Sequence, residues 1–214
     1  HPVELNGDSF RAPWQSRDMG PLVLPGQYSI EAEAHAAGTH RPLIAPKSFN
    51  VRPLMLSPET VDDREALLTF QQQASELYRK VAGTVQRTEE FGARLDALDA
   101  ALLQSTIDTN DLHGRLNSLR AELLRVRSLL VGDRTVQSRQ ENVPWSLQRR
   151  TSSLLGNWNN QAAPTGTDRS AYAIATSEFA ELSEDVGRFA EQLQAIEREM
   201  DTSGAPWTPG RQLN

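Results

Sequence analysis

The sequence predicts a mainly α protein: an antiparallel three- to four-helix bundle with long coiled-coil-like helices, preceded by a small β-hairpin or partial β-sandwich. Three observations predict it. Apolar residues recur at alternating steps of three and four in three separate seams between residues 67 and 200. A strict two-residue alternation is confined to the stretch just after Pro25-Gly26. Clusters of turn and cap formers, at Thr106 to Asn110, Gly132-Asp133 and Ser203-Gly204-Ala205-Pro206, punctuate the seams. The chain then divides into a partial β-domain over 1–56 (hairpin about 26–52), a helical bundle over 57–203 and a tail over 204–214. The helices fall at about 58–105, 110–131, 144–158 and 168–202.

The hairpin comes first. Tyr28, Ile30, Ala32 and Ala34 alternate with Gln27, Ser29, Glu31, Glu33 and His35, which predicts one buried and one wet face. Ala36-Ala37-Gly38-Thr39 reverses the chain, and Phe49 and Val51 alternate in a return strand. Pro42 and Pro46 make that strand irregular or an edge. A lone hairpin is marginal in water, so further strands or packing on helices are expected, with Leu22-Val23-Leu24 one short candidate. His35 and His40 flank the reversal and are read as exposed turn residues rather than as metal ligands.

The long first helix opens at Ser57-Pro58, serine as N-cap and proline at the first helical position. Its seam is Leu67, Phe70, Ala74, Leu77, Val81, Thr84, Thr88, Phe91, Leu95, Leu98 and Leu102; Thr84, Thr88, Gly83 and Gly92 weaken its middle, where a bend is expected. The second seam is Leu112, Leu116, Leu119, Leu123, Val126 and Leu130. A short helix follows Val143-Pro144-Trp145, with Trp145 expected to anchor it. The last seam runs Tyr172, Ala175, Phe179, Leu182, Val186, Phe189, Leu193, Ile196 and Met200, capped by Thr167 or Asp168. Each seam leucine or phenylalanine contributes roughly 2 kcal/mol on burial, so the helices must close on one another to form a stable unit.

Charge narrows the function. The net charge is −6, which argues against nucleic acid as a partner. Acids outnumber bases by 11 to 5 over 57–111 and by 9 to 3 over 168–202, whereas bases lead by 8 to 3 over 112–150. A basic second helix carrying Arg115, Arg120, Arg125 and Arg127 can sit between two acidic ones. The competing reading is an anion- or nucleic-acid-binding stripe, with Arg120 and Arg127 as its candidate residues, although no aromatic interleaves the arginines. There is no cysteine, which removes disulfides, thiolate metal sites and cysteine nucleophiles and suits an exported protein. No apolar run is long enough to span a membrane.

No Gly-x-Ser-x-Gly elbow, phosphate-binding glycine loop or His-Glu-x-x-His is present. Acidic pairs such as Glu89 and Glu90 belong on a solvated helix face, and His113, beside a seam leucine, has no evident partner. No catalytic, cofactor or metal residue is therefore assigned, and no cofactor is expected. Trp158, in Gly156-Asn157-Trp158-Asn159-Asn160, is the one candidate aromatic platform, with core or cap packing the simpler role. Trp14 and Trp207 lie in proline-rich terminal segments.

Several of these stretches together resemble the C-terminal end of large bacterial sortilin-like proteins with β-propellers of BNR (Asp-box) repeats, often labelled glycosyl hydrolases. The matching pieces are Leu24-Pro25-Gly26-Gln27-Tyr28-Ser29-Ile30, Lys47-Ser48-Phe49-Asn50-Val51-Arg52-Pro53 and Asp62-Asp63-Arg64-Glu65. Leu116-Asn117-Ser118-Leu119, Glu141-Asn142-Val143-Pro144 and Ser153-Leu154-Leu155-Gly156 before Ala163-Pro164-Thr165 add to them. The likeness spans most of residues 21–200 and rests on turn residues and seam leucines. Arg52-Pro53 departs from the family's acidic residue before proline, at the interdomain linker. The resemblance implies that the hairpin is the last strand pair of an Ig-like domain and that the helices follow it as a tail. No Asp-box is included, and no catalytic residue can be carried over.

The expected function is a non-catalytic accessory, scaffold or protein-interaction module of a larger exported propeller protein. Its partners would be the upstream propeller and β-domain, and its location periplasmic or secreted. The chain begins with His1 and shows no signal peptide, which suits a mature product or, better, a piece of a longer protein. The alternatives are a freestanding coiled-coil adaptor or oligomerisation protein and, behind it, a nucleic-acid binder using the second helix.

Overall fold

The structure is a computed structural model. It describes residues 23–36, 39–53, 59–105, 110–133, 136, 139, 143–155 and 162–210; for His35, Ala36, His40 and Asn110 it describes the backbone alone. The protein is mainly helical, and the described residues form a two-stranded antiparallel hairpin before four helices. The elements are β1 (Gly26–Ala36), β2 (Thr39–Val51), α1 (Val61–Leu103), α2 (Asn110–Val131), α3 (Leu147–Ser153) and α4 (Gly166–Thr202). They form two compact units. One holds the described residues up to Gln73 together with 162–165; the other holds 74–155 and 166–210.

In the first unit, Tyr28 pairs across the ladder with Phe49, Ile30 with Lys47 and Ala32 with Ile44. The Tyr28 and Phe49 rings stack 6.0 Å apart, and the Tyr28 hydroxyl donates to the Leu24 carbonyl at 2.8 Å. Pro42 and Pro46 do not break β2. The register shifts on either side of Ala32 instead, so that the longer strand absorbs its extra residues as bulges. The expected buried face is not buried: Ile30 is 61 % exposed, Ile44 52 % and Phe49 47 %. The period-two pattern sorts residues onto faces but cannot supply a cover, and among the described residues the sheet has two strands. At the base of the hairpin, Leu24 and Val51 share a small pocket of about 220 Å³ with Leu67 and Leu68 from the start of α1.

Ser57 and Pro58 lie outside the described residues. The α1 helix begins at Val61, where Thr60 and Asp63 form a reciprocal cap: the Asp63 amide donates to Thr60 Oγ1 at 3.1 Å, and the Thr60 amide donates to Asp63 Oδ2 at 3.0 Å. These bonds hold the Asp63 carboxyl below its ordinary pKa, with the Thr60 hydroxyl the largest cause. The helix runs unbroken through Gly83 and Gly92 to Leu103. Thr88 is tolerated in the seam because its buried hydroxyl donates to the Val85 carbonyl at 2.7 Å.

The second unit closes around the three seams. Leu77, Val81, Phe91, Leu95, Leu98 and Leu102 from α1 meet all six seam residues of α2 and the run from Ala175 to Met200 of α4 in one continuous core. Phe91 and Phe189 stack at its middle, 4.9 Å apart. Ion pairs give the directions. Arg120 of α2 reaches Asp99 and Arg127 reaches Glu89, so α2 runs antiparallel to α1. Arg115 reaches Glu199 and Arg125 reaches Asp185, so α4 is antiparallel to α2. Leu67 and Phe70, the first residues of the α1 seam, are only half-buried.

Two helix ends use glycine. Gly132 (φ 86°) donates to the Ser128 carbonyl at 2.9 Å and stops α2. After α4, Gly204 (φ 72°) donates to Asp201 and Ala205 to Met200, a paired closure that turns the chain back. The α4 helix starts at Gly166, so Thr167 and Asp168, expected to cap it, lie inside its first turn. The α3 helix is shorter than expected, capped by Ser146 and seated by Leu147 and Thr151. Trp145 is not its anchor: the ring is 47 % exposed and carries the Arg149 guanidinium 4.6 Å from its centroid. No helix among the described residues is long and apolar enough to cross a membrane.

Candidate functional site

Three surfaces carry chemistry: the arginine-rich face of α2, a groove between α1 and α4, and the apolar face of the hairpin.

On α2 every seam-flanking arginine meets an acid. Arg120 donates to Asp96 at 2.9 Å and to Asp99 at 3.2 Å, and Arg127 lies 3.7 Å from Glu89. On the other flank Arg115 donates to Glu199 and Arg125 to Asp185, both at 2.6 Å. Burial works against the charge on Arg120, but the bonds and fields of Asp99 and Asp96 outweigh it and raise its pKa. The Glu199 bond raises that of Arg115. The Arg125 bond holds Asp185 below the usual carboxylate range. The basic helix is thus tied to both acidic neighbours, and its arginines act between helices. His113 also has a partner after all: its Nδ1 lies 3.3 Å from Asp99.

The groove was not foreseen. Arg94 of α1 grips Glu197 of α4 from two nitrogens: Nε donates to Oε1 at 2.9 Å, and a terminal nitrogen donates to Oε1 at 2.7 Å and Oε2 at 2.6 Å. Glu197 is 5 % exposed, a buried acid held by a forked cation. Above the pair lies a groove of about 650 Å³, lined by Phe91 and Ala190 and by charges that include Arg87, Glu90, Glu191 and Arg198. Glu197 sits directly after Ile196 in the seam, and Arg94 directly before Leu95. Those seam-edge positions were the available signal, but other charges share such positions without pairing this way.

Trp158, the candidate platform, lies outside the described residues, as does Trp14. Glu89 is taken by Arg127 and Glu90 lines the groove, so the two do not face each other as an acid–base pair. His35 and His40 are opposed in the ladder register. Among the described residues no three metal-ligating side chains converge.

The hairpin face is the third surface. Tyr28, Ile30, Ile44 and Phe49 lie on one face, which the register shares with Lys47 and Arg41, and Gln27, Ser29, Ser48 and Asn50 lie on the other. No family model, no curated protein and no solved structure matches the chain.

Proposed function

We propose that the chain is a non-catalytic scaffold or interaction module of a larger exported protein of the sortilin-like propeller type, joined to its neighbours through the hairpin. The observation that carries this reading is the exposure of Ile30, Ile44 and Phe49 on one face of a sheet that has two strands among the described residues. Such a face gains stability only when more sheet or another apolar surface covers it. The helices support the same reading from the other side. Their seams are consumed by one core and the α2 arginines by interhelical acids, so α2 is occupied by its own bundle rather than by phosphates.

The test is to express the chain alone and with the β-domain that the reading places upstream, and to compare limited proteolysis of residues 26–51. Protection in the longer protein and cleavage in the shorter one is the expected outcome. Equal cleavage in both would remove the proposed role of the hairpin.

A second reading, a freestanding oligomerisation protein, draws on Leu124 (70 % exposed), which faces solvent on α2. It predicts a weight-average mass that rises with concentration in sedimentation equilibrium. The scaffold reading predicts a monomer at micromolar concentration.

A further inference from the structure

The two strands of the hairpin are built differently. The outer edge of a sheet is a row of amides and carbonyls open to pairing, and folded proteins stop such an edge with prolines, bulges and inward-pointing charges. The β2 strand carries all three. Pro42 and Pro46 interrupt its row of donors. Its spacing is broken twice: it takes three steps from Lys47 to Ile44 where β1 takes two from Ile30 to Ala32, and two steps from Ile44 to Pro42 where β1 takes one from Ala32 to Glu33. Lys47 stands opposite Ile30, so a charge sits on the face that holds Tyr28 and Phe49. The β1 strand has none of these devices. Its 11 residues, Gly26–Ala36, contain no proline, the extra residues fall on its partner, and its glutamates, Glu31 and Glu33, alternate onto the polar face of Gln27 and Ser29.

From this asymmetry we infer that β2 is the terminal strand of a larger sheet and that the outer edge of β1 receives the next strand, supplied by the β-domain that the proposed function places upstream; the inference rests on that reading. Among the described residues the sheet ends at β1. Consecutive strands are commonly neighbours in a sheet, and β1 is the strand that chain from upstream enters first. The occupant has a defined chemistry. It is an extended, proline-free segment of about five residues or more, whose alternate apolar side chains continue the Tyr28–Ile30 face. Main-chain hydrogen bonds along β1 give the joint its affinity. The exposed Ile30 side chain sets its register, because a slip of one residue would bring the polar side chains of the incoming strand beside it.

The test is amide hydrogen exchange read residue by residue, in the chain alone and in the longer protein that includes the β-domain. A strand bonded along both edges protects consecutive amides, whereas a terminal strand protects every second one. In the longer protein, consecutive amides across residues 27–34 should slow by at least roughly a hundredfold relative to the chain alone, while residues 47–51 should alternate between slow and fast. Alternation in both strands, or consecutive protection in 47–51 instead of 27–34, overturns the inference; if the hairpin still resists proteolysis in the longer protein, its joining role survives. Exchange and cleavage that match those of the chain alone overturn both. Consecutive protection of 27–34 that grows with the concentration of the chain alone makes a second copy the occupant and overturns the assignment to the β-domain.

Discussion

Leu116 and Ile30 are both aliphatic residues on regularly patterned elements. Leu116 is 0 % exposed and Ile30 61 %. The difference lies in what each pattern meets. The α2 seam is offered to two further seams of matching period, and three stripes enclose one another within the second unit. The hairpin offers its stripe to no third strand among the described residues. Closure of an apolar stripe is therefore a property of the set of elements rather than of the element. The same sequence signal marks a finished core in one unit and an open surface in the other.

The largest way to break the bundle side of this comparison is Phe189→Ala. It removes the ring that stacks on Phe91 and should cost about 3–5 kcal/mol in urea denaturation, because a closed core relaxes poorly around a cavity. Next comes Glu197→Ala, which leaves the part-buried Arg94 without its acid. It should cost about 3 kcal/mol by the same measurement, whereas changing Arg94 and Glu197 together to apolar residues should recover much of that loss. Removing the α1 cap with Thr60→Ala should cost about 1 kcal/mol and fray the first turn.

Acid acts on related bonds. Asp63 and Asp185 both have depressed pKa values, so the stability they contribute is complete above the unfolded carboxylate value of about 3.9. It is lost as pH falls through their lower folded values. The thermal midpoint should accordingly change little in response to these two groups from pH 7 to 5 and drop below about pH 4, with a shallower drop in Asp185→Asn. The smallest effect belongs to the hairpin. Ile30→Thr should change the stability of the chain by no more than about 0.5 kcal/mol, since the side chain is mostly wet already. A cost like that of Phe189→Ala would mean the face is covered in solution.

Much of the helical architecture was legible because burial on a helix leaves a periodic record. Leu112 to Leu130 reads as one stripe, and all six positions are buried. The sign pattern of the helices was equally readable, and it foreshadows the Arg115, Arg120, Arg125 and Arg127 pairs. Particular pairings were not legible. Arg94 and Glu197 are 103 residues apart, and nothing local distinguishes Arg94 from Arg87. The return of the tail was hidden for a similar reason: Gly210 comes to lie beside Arg94 through the turn at Gly204 and the packing of Ala205. Ile30 was misjudged because alternation reports which side chains share a face and says nothing of what lies opposite.

The central claim is that one unit is closed and the hairpin face is open. Residue-resolved hydrogen exchange on the isolated chain tests it most directly. The account predicts slow exchange through residues 77–102, 112–130 and 175–200, near the limit set by global unfolding, and exchange at least roughly a hundredfold faster across Gly26–Val51. Hairpin amides as protected as those of the helices, or helix amides as fast as those of the hairpin, would contradict it.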